Sequence, residues 1–137
     1  MLLDEIIFFY KSFKKYKNYT YEELYNFLIQ SYNHSQFKVF KNRAKIYGFV
    51  NWAFVNKNVK NFYLQSGIIK NWNCGNEIIH IDLLAKENVK EIYLWSRRNL
   101  AKHLKPNDTT NWLRLKDNKI RNIVTKKIRN NRLWVDL

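Results

Sequence analysis

Leu3, Ile6, Ile7, Tyr10 and Phe13 recur at the spacing of one helix face and predict a helix over residues 3–15, with Lys14, Lys15 and Lys17 following. Thr20-Tyr21-Glu22-Glu23 offers a capping box of Thr20 with Glu23. It opens a second helix carrying Leu24, Phe27 and Leu28 to about Tyr32. Gln36 to Lys41 and Ile46 to Val55 read as a hairpin around a polar turn at Asn42 to Ala44. Residues 58–67, NVKNFYLQSG, resemble a short helix ended by Gly67, a residue suited to the position just past a helix. Glu77 to Ala85 reads as a strand. Residues 88–104 place Val89, Ile92, Leu100 and Leu104 along one side of a long helix stopped by Pro106. Residues 111–115, a turn at Asp117 and Asn118, and residues 119–124 form a last hairpin, and the tail is either extended or helical. The order α-α-β-β-α-β-α-β-β predicts an α/β (α+β) fold, a mixed sheet flanked by helices in a single domain spanning residues 1–137.

The strand EIIHIDLLA interrupts its own apolar pattern at His80 and Asp82. In a regular strand, residues two apart point to the same face, about 7 Å from each other along the backbone. The two side chains would then meet by leaning inward or through a water. A histidine oriented by a carboxylate is a suitable general base. The alternative is a half-buried His80 whose ring bonds a backbone carbonyl. A carboxylate among isoleucines and leucines is costly unless paired or wet, so Asp82 either binds something or meets an arginine such as Arg97 or Arg98.

Charge and composition narrow the classes. Lys+Arg 25 against Asp+Glu 11 gives +14 over 137 residues, which favours an acidic partner: nucleic acid, an anionic membrane surface or an acidic protein. The densest basic run, Lys119, Arg121, Lys126, Lys127, Arg129 and Arg132 with Trp134, suits single-stranded nucleic acid. Cys74 stands alone, so the chain has no disulfide framework and no cysteine ligand set, and no metal is expected; this usage fits a reducing, cytoplasmic setting. No apolar run is long enough to span a bilayer, and the acidic start of the chain does not resemble a signal peptide. Walker, dinucleotide-fingerprint and serine-nucleophile motifs are absent. Trp52 and Trp72 read as core. Cys74 reads as inert, since no neighbouring His or helix N-terminus would lower its pKa.

Three pieces stand in order along the chain: G-F-V-N-W-A-F at 48–54, W-N-C-G at 72–75 and I-D-L-L-A at 81–85, with Gln36 upstream and W-L-R-L downstream. Together they resemble the RTX-toxin-activating lysine acyltransferases, over roughly residues 36–100. The resemblance implies an acetyltransferase-like mixed sheet and transfer of an acyl group from acyl carrier protein to a lysine of a protein substrate. It also implies a homodimer. Asp82 matches the family's strand aspartate. The family's N-terminal histidine falls at or near Tyr16, beside Lys15, and the chain's histidines are His34, His80 and His103. Tyr16 is therefore the substitute candidate, and His80 the candidate base of a relocated site. After the strand, the family's Pro-Phe-Gly is replaced by Lys86-Glu87-Asn88. Arg97, Arg98, Lys86 and Lys102 are candidates for the carrier's phosphate and acidic surface. A binding protein that keeps this scaffold without catalysis, and uses its basic surface on an acidic partner, is the alternative.

Overall fold

The computed structural model describes residues 1–100 and the backbone of residues 109–116, 119–128 and 134–136. The chain runs α1 (Leu2–Lys11), α2 (Tyr21–Asn33), β1 (Phe37–Asn42), β2 (Lys45–Val55), α3 (Lys57–Ser66), β3 (Glu77–Ala85), α4 (Val89–Leu100), β4 (Thr109–Lys116), β5 (Lys119–Ile128) and β6 (Trp134–Asp136). The strands form one sheet in the order β1-β2-β3-β4-β5-β6. Neighbours are antiparallel except β3 and β4, which pair in parallel at Ile79↔Asn111 across the α4 crossover. The mixed α/β expectation therefore holds, and the tail contributes a strand.

Local chemistry explains most boundaries. Thr20 Oγ1 accepts from the Glu23 amide at 3.1 Å while Glu23 Oε1 accepts from the Thr20 amide at 3.0 Å, which completes the capping box. Asn56 Oδ1 caps α3 by accepting from the Val59 amide at 2.8 Å, and Gly67 ends it in the left-handed conformation at φ 75°. The first helix is shorter than its apolar pattern: α1 stops at Lys11, and residues 12–19 wind through three successive i→i+3 bonds, from Phe13, Tyr16 and Tyr19 to the carbonyls of Tyr10, Phe13 and Tyr16. Phe13 still packs on the same cluster as Leu3 and Ile6, so the periodicity outlasts the helix. The expected end of the fourth helix near Leu104 and Pro106 lies outside the described residues.

The sheet sorts its side chains by parity. Phe49, Ala53 and Val55 of β2 face α1, α2 and α3, whereas Val50 and Trp52 face α4, where Ile78, Ile92 and Leu100 complete a separate cluster. The W-N-C-G segment is a loop lying along the end of β2: Phe54 donates its amide to the Trp72 carbonyl at 3.3 Å, and Cys74 donates to the Phe54 carbonyl at 2.9 Å. Gly75 permits this approach, because a Cβ there would collide with the backbone of Val55 and Asn56. Trp52 and Trp72 are buried, in agreement with their reading as core.

Gly48 permits a different approach, since a Cβ there would meet Cδ1 of the fully buried Ile92. Gly48→Ala should cost about 1–3 kcal/mol through overpacking, and Ile92→Val, which removes that methyl, should recover part of the loss. Gly75→Ala meets backbone and should be at least as damaging. Urea unfolding of the four variants, including the double variant, checks the order; a Gly48→Ala protein as stable as the parent would contradict it.

Candidate functional site

The site begins with a defect in strand pairing. Asn51 opposes Asp82 and Trp52 opposes His80, so one step along β2 corresponds to two along β3, and Ile81 is the extra residue of a β-bulge. The bulge breaks the alternation of faces. Asp82 shares the face of Asn51, toward α1 and α2, while His80 shares the face of Trp52, toward α4. The expected same-face pair of His80 and Asp82 does not form, because the period-two rule holds only in an unbroken ladder. A bulge leaves a backbone amide to be satisfied, and here the Asp82 amide donates to Asn51 Oδ1 at 2.9 Å. Asn51 Nδ2 in turn donates to Ser31 Oγ at 3.4 Å, and Ser31 Oγ donates to the Leu28 carbonyl at 3.1 Å. Both polar residues are buried.

Two phenols hold the carboxylate. Tyr10 of α1 donates to Asp82 Oδ2 at 2.8 Å, and Tyr16, on the turn after α1, donates to Oδ1 at 3.0 Å. Tyr10 has no accessible surface, and its ring meets those of Tyr16 and Phe49 edge-on at 5.0 and 5.4 Å between centroids. The tight turn after Lys11 is what returns Tyr16 to the sheet. Burial raises the Asp82 pKa, against the opposing effects of the Tyr10 hydrogen bond, the Lys15 charge and the Tyr16 hydrogen bond. Burial, followed by the charge of Asp82, pushes both phenols well above their ordinary range, so they remain protonated donors. Burial and the same charge also raise Tyr63 of α3. The arrangement is a buried carboxylate whose affinity for a proton is raised by burial, clamped by donors that keep theirs.

The expected arginine partner is replaced by these phenols. Arg97 and Arg98 lie on α4, on the far side of the sheet, with Arg97 half-buried and Arg98 exposed. His80 faces that same side, and burial holds its pKa down to about 4, so the ring is neutral at pH 7. Lys86 ties the end of β3 to α1: its Nζ donates to the Ser12 carbonyl at 2.8 Å and lies 4.2 Å from the Phe13 ring centroid. It also lines an open groove of about 1070 Å³ with Phe8, Phe9, Arg43 and Ile46. Lys102 lies outside the described residues, as do Arg129 and Arg132 of the basic run; Lys119, Arg121, Lys126 and Lys127 fall on β5. Gln36 donates through Nε2 to Asn73 Oδ1 at 3.3 Å, joining two of the motif segments. Cys74 Sγ accepts from the Asn56 amide at 3.4 Å. Among the described residues, no group of three His, Cys, Asp or Glu could hold a metal ion, and no helix is long and apolar enough to cross a membrane.

Tyr10 and Asn51 are the site residues that sequence reasoning missed. Tyr10 fits the apolar stripe of α1 and was indistinguishable from core. Asn51 carried a signal, since a buried face of β2 should not include an amide unless something answers it.

A family model described as the RTX toxin acyltransferase family matches residues 1–128, a span that contains Tyr10, Tyr16, Asn51 and Asp82. No curated protein matches the chain.

The raised Asp82 pKa has a definite sign in stability. The proton-bound form is the one favoured by folding, so this contribution is fully present below the unfolded value of 3.8 and is lost as pH rises through the higher folded value. Relative to Asp82→Asn, the parent should therefore gain stability as pH falls from 7 toward 4, measured by parallel urea titrations; the opposite slope would contradict the assignment. Asn51→Val should cost about 1–3 kcal/mol by orphaning the Asp82 amide, read in the same unfolding assay at pH 7.

Proposed function

Because the chain belongs to the RTX toxin acyltransferase family, we propose that it moves an acyl group from a thioester on acyl carrier protein to the ε-amine of a lysine on a toxin protein. The observation that carries this reading is the Asp82 carboxylate: buried, held through both oxygens and biased toward proton uptake. Aminolysis of a thioester needs such a group, because a lysine ammonium must lose a proton before its nitrogen can attack. In the proposed reaction Asp82 takes that proton. The freed nitrogen attacks the thioester carbonyl, the C–N bond forms, the C–S bond breaks, and the thiolate leaves and recovers a proton.

Tyr16 stands where the family's N-terminal histidine is expected, yet its phenol is no base at neutral pH. Its proposed role is to orient Asp82 and keep a hydrogen in place beside the reacting atoms. His80, on the opposite face, has no part in this reading. For the donor, the supporting feature is the β3–β4 junction, where the two strands pair in parallel at Ile79↔Asn111. Lys86, at the end of β3, and Arg98, on α4, are both exposed and are proposed as separate contacts for the donor's phosphate or the carrier's acidic surface, with Arg97 next to Arg98 in sequence.

Intact-mass spectrometry of a lysine-bearing toxin fragment, incubated with this protein and acyl-loaded carrier protein, tests the reading. The expected result is an acyl mass on lysine whose rate of appearance falls about 10²–10⁴-fold in Asp82→Asn and by a smaller factor in Tyr16→Phe. Transfer that is equally fast in Asp82→Asn would overturn the role given to Asp82. Absence of transfer across acyl lengths would favour a binding protein built on the same scaffold.

A further inference from the structure

We propose that Lys15 is a self-acylation site, its ε-amine taking an acyl group from the same class of thioester that Asp82 is proposed to serve. The inference rests on the acyltransferase reading and adds an acceptor within the chain. Lys15 is carried by the turn that brings Tyr16 to the carboxylate. Its Nζ lies 5.1 Å from the Tyr16 ring centroid, and the hydroxyl of that ring is 3.0 Å from Asp82 Oδ1. The side chain is exposed, and its charge acts on Asp82 through space.

Several other lysines near the sheet are already engaged. Lys41 pairs with Glu5 at 3.0 Å, Lys60 pairs with Glu77 at 3.2 Å, and Lys86 is bonded to the Ser12 carbonyl. Lys15 makes no hydrogen bond or ion pair among the described residues. Its ammonium rests over the face of Tyr16, which a flexible four-carbon stem can leave at small cost. An amine of the acceptor's own chemical type is thus tethered next to the residue that bonds Asp82, where a short link raises its local concentration to the millimolar range or above.

The chemistry balances without any added redox partner. Asp82 takes a proton from the Lys15 ammonium, and the neutral nitrogen attacks the thioester carbonyl carbon. A C–N bond forms as the C–S bond breaks, and the thiol leaves with a proton. The products are an amide on Lys15 and a free thiol. Acylation removes a cation whose charge acts on the carboxylate and lays an acyl chain beside Tyr16, so the modified chain should acylate a separate acceptor more slowly.

The test uses the full chain with acyl-loaded carrier protein, first alone and then with a lysine-bearing toxin fragment, read by intact mass and peptide mapping. Without the fragment, one acyl amide per chain should appear on Lys15. It should be missing in Lys15→Arg and slowed at least tenfold in Asp82→Asn. Asp82-dependent acylation of the fragment by a chain that stays unmodified at Lys15 overturns self-acylation and leaves the proposed function standing. A chain and fragment both unmodified overturn the two together. Modification of Lys15 at the same rate in Asp82→Asn would show uncatalysed chemistry and reject the proposal.

Discussion

One carboxylate buried beneath α1 constrains the N-terminal half of this protein. A charge placed among isoleucine, phenylalanine and tyrosine is unfavourable until its lone pairs are used, and Asp82 uses them on the hydroxyls of Tyr10 and Tyr16. Those two phenols come from different local structures. Tyr10 belongs to a regular helix, whereas Tyr16 arrives only because the chain abandons that helix at Lys11 and tightens into successive turns. The lysine at the end of β3 closes the same arrangement from the other side, through the Ser12 carbonyl. Helix, turn and strand end are thus tied together around a single acidic side chain.

The bulge at Ile81 makes this possible. Without the extra residue, Asp82 would point with His80 toward α4, into a cluster of Trp52, Ile78 and Ile92, and away from Tyr10 and Tyr16. Asn51 answers the amide that the bulge leaves over, and Ser31 holds Asn51, so a polar strut runs from α2 through β2 to β3 inside an otherwise apolar layer. Such a network is favourable only when its members find partners, and each of its links does. Burial and chemistry act on the same property of Asp82: burial raises its affinity for a proton, and that bias is what suits the carboxylate to the proton-accepting role proposed for it.

In the proposed reading, Tyr16 puts a phenol where the family resemblance implies an imidazole, which changes what this part of the site can do. An imidazole can exchange its proton near neutral pH, whereas the buried phenol retains its own. In the proposed reaction the whole proton-accepting duty therefore falls on Asp82. The basic surface is a separate matter. Part of the +14 charge lies on exposed lysines of the 12–19 turn and on the exposed Arg98, and its general effect is attraction of acidic partners.

The amino-acid sequence by itself determined the order of elements up to the tail, the capping box at Thr20, the stop at Gly67 and the need of Asp82 for a partner among apolar neighbours. These follow from local rules: helical periodicity, cap chemistry, glycine's freedom at positive φ, and the cost of an unpaired carboxylate. Only the tertiary structure decided which face Asp82 occupies, that two tyrosines rather than an arginine meet it, and that His80 lies across the sheet from it. The reason is that face alternation is a local property of one strand, while a bulge arises from the register between two. Nothing within EIIHIDLLA marks Ile81 as the residue without an opposite number; that is settled by β2, about thirty residues earlier in the chain, where Asn51 waits for the extra amide.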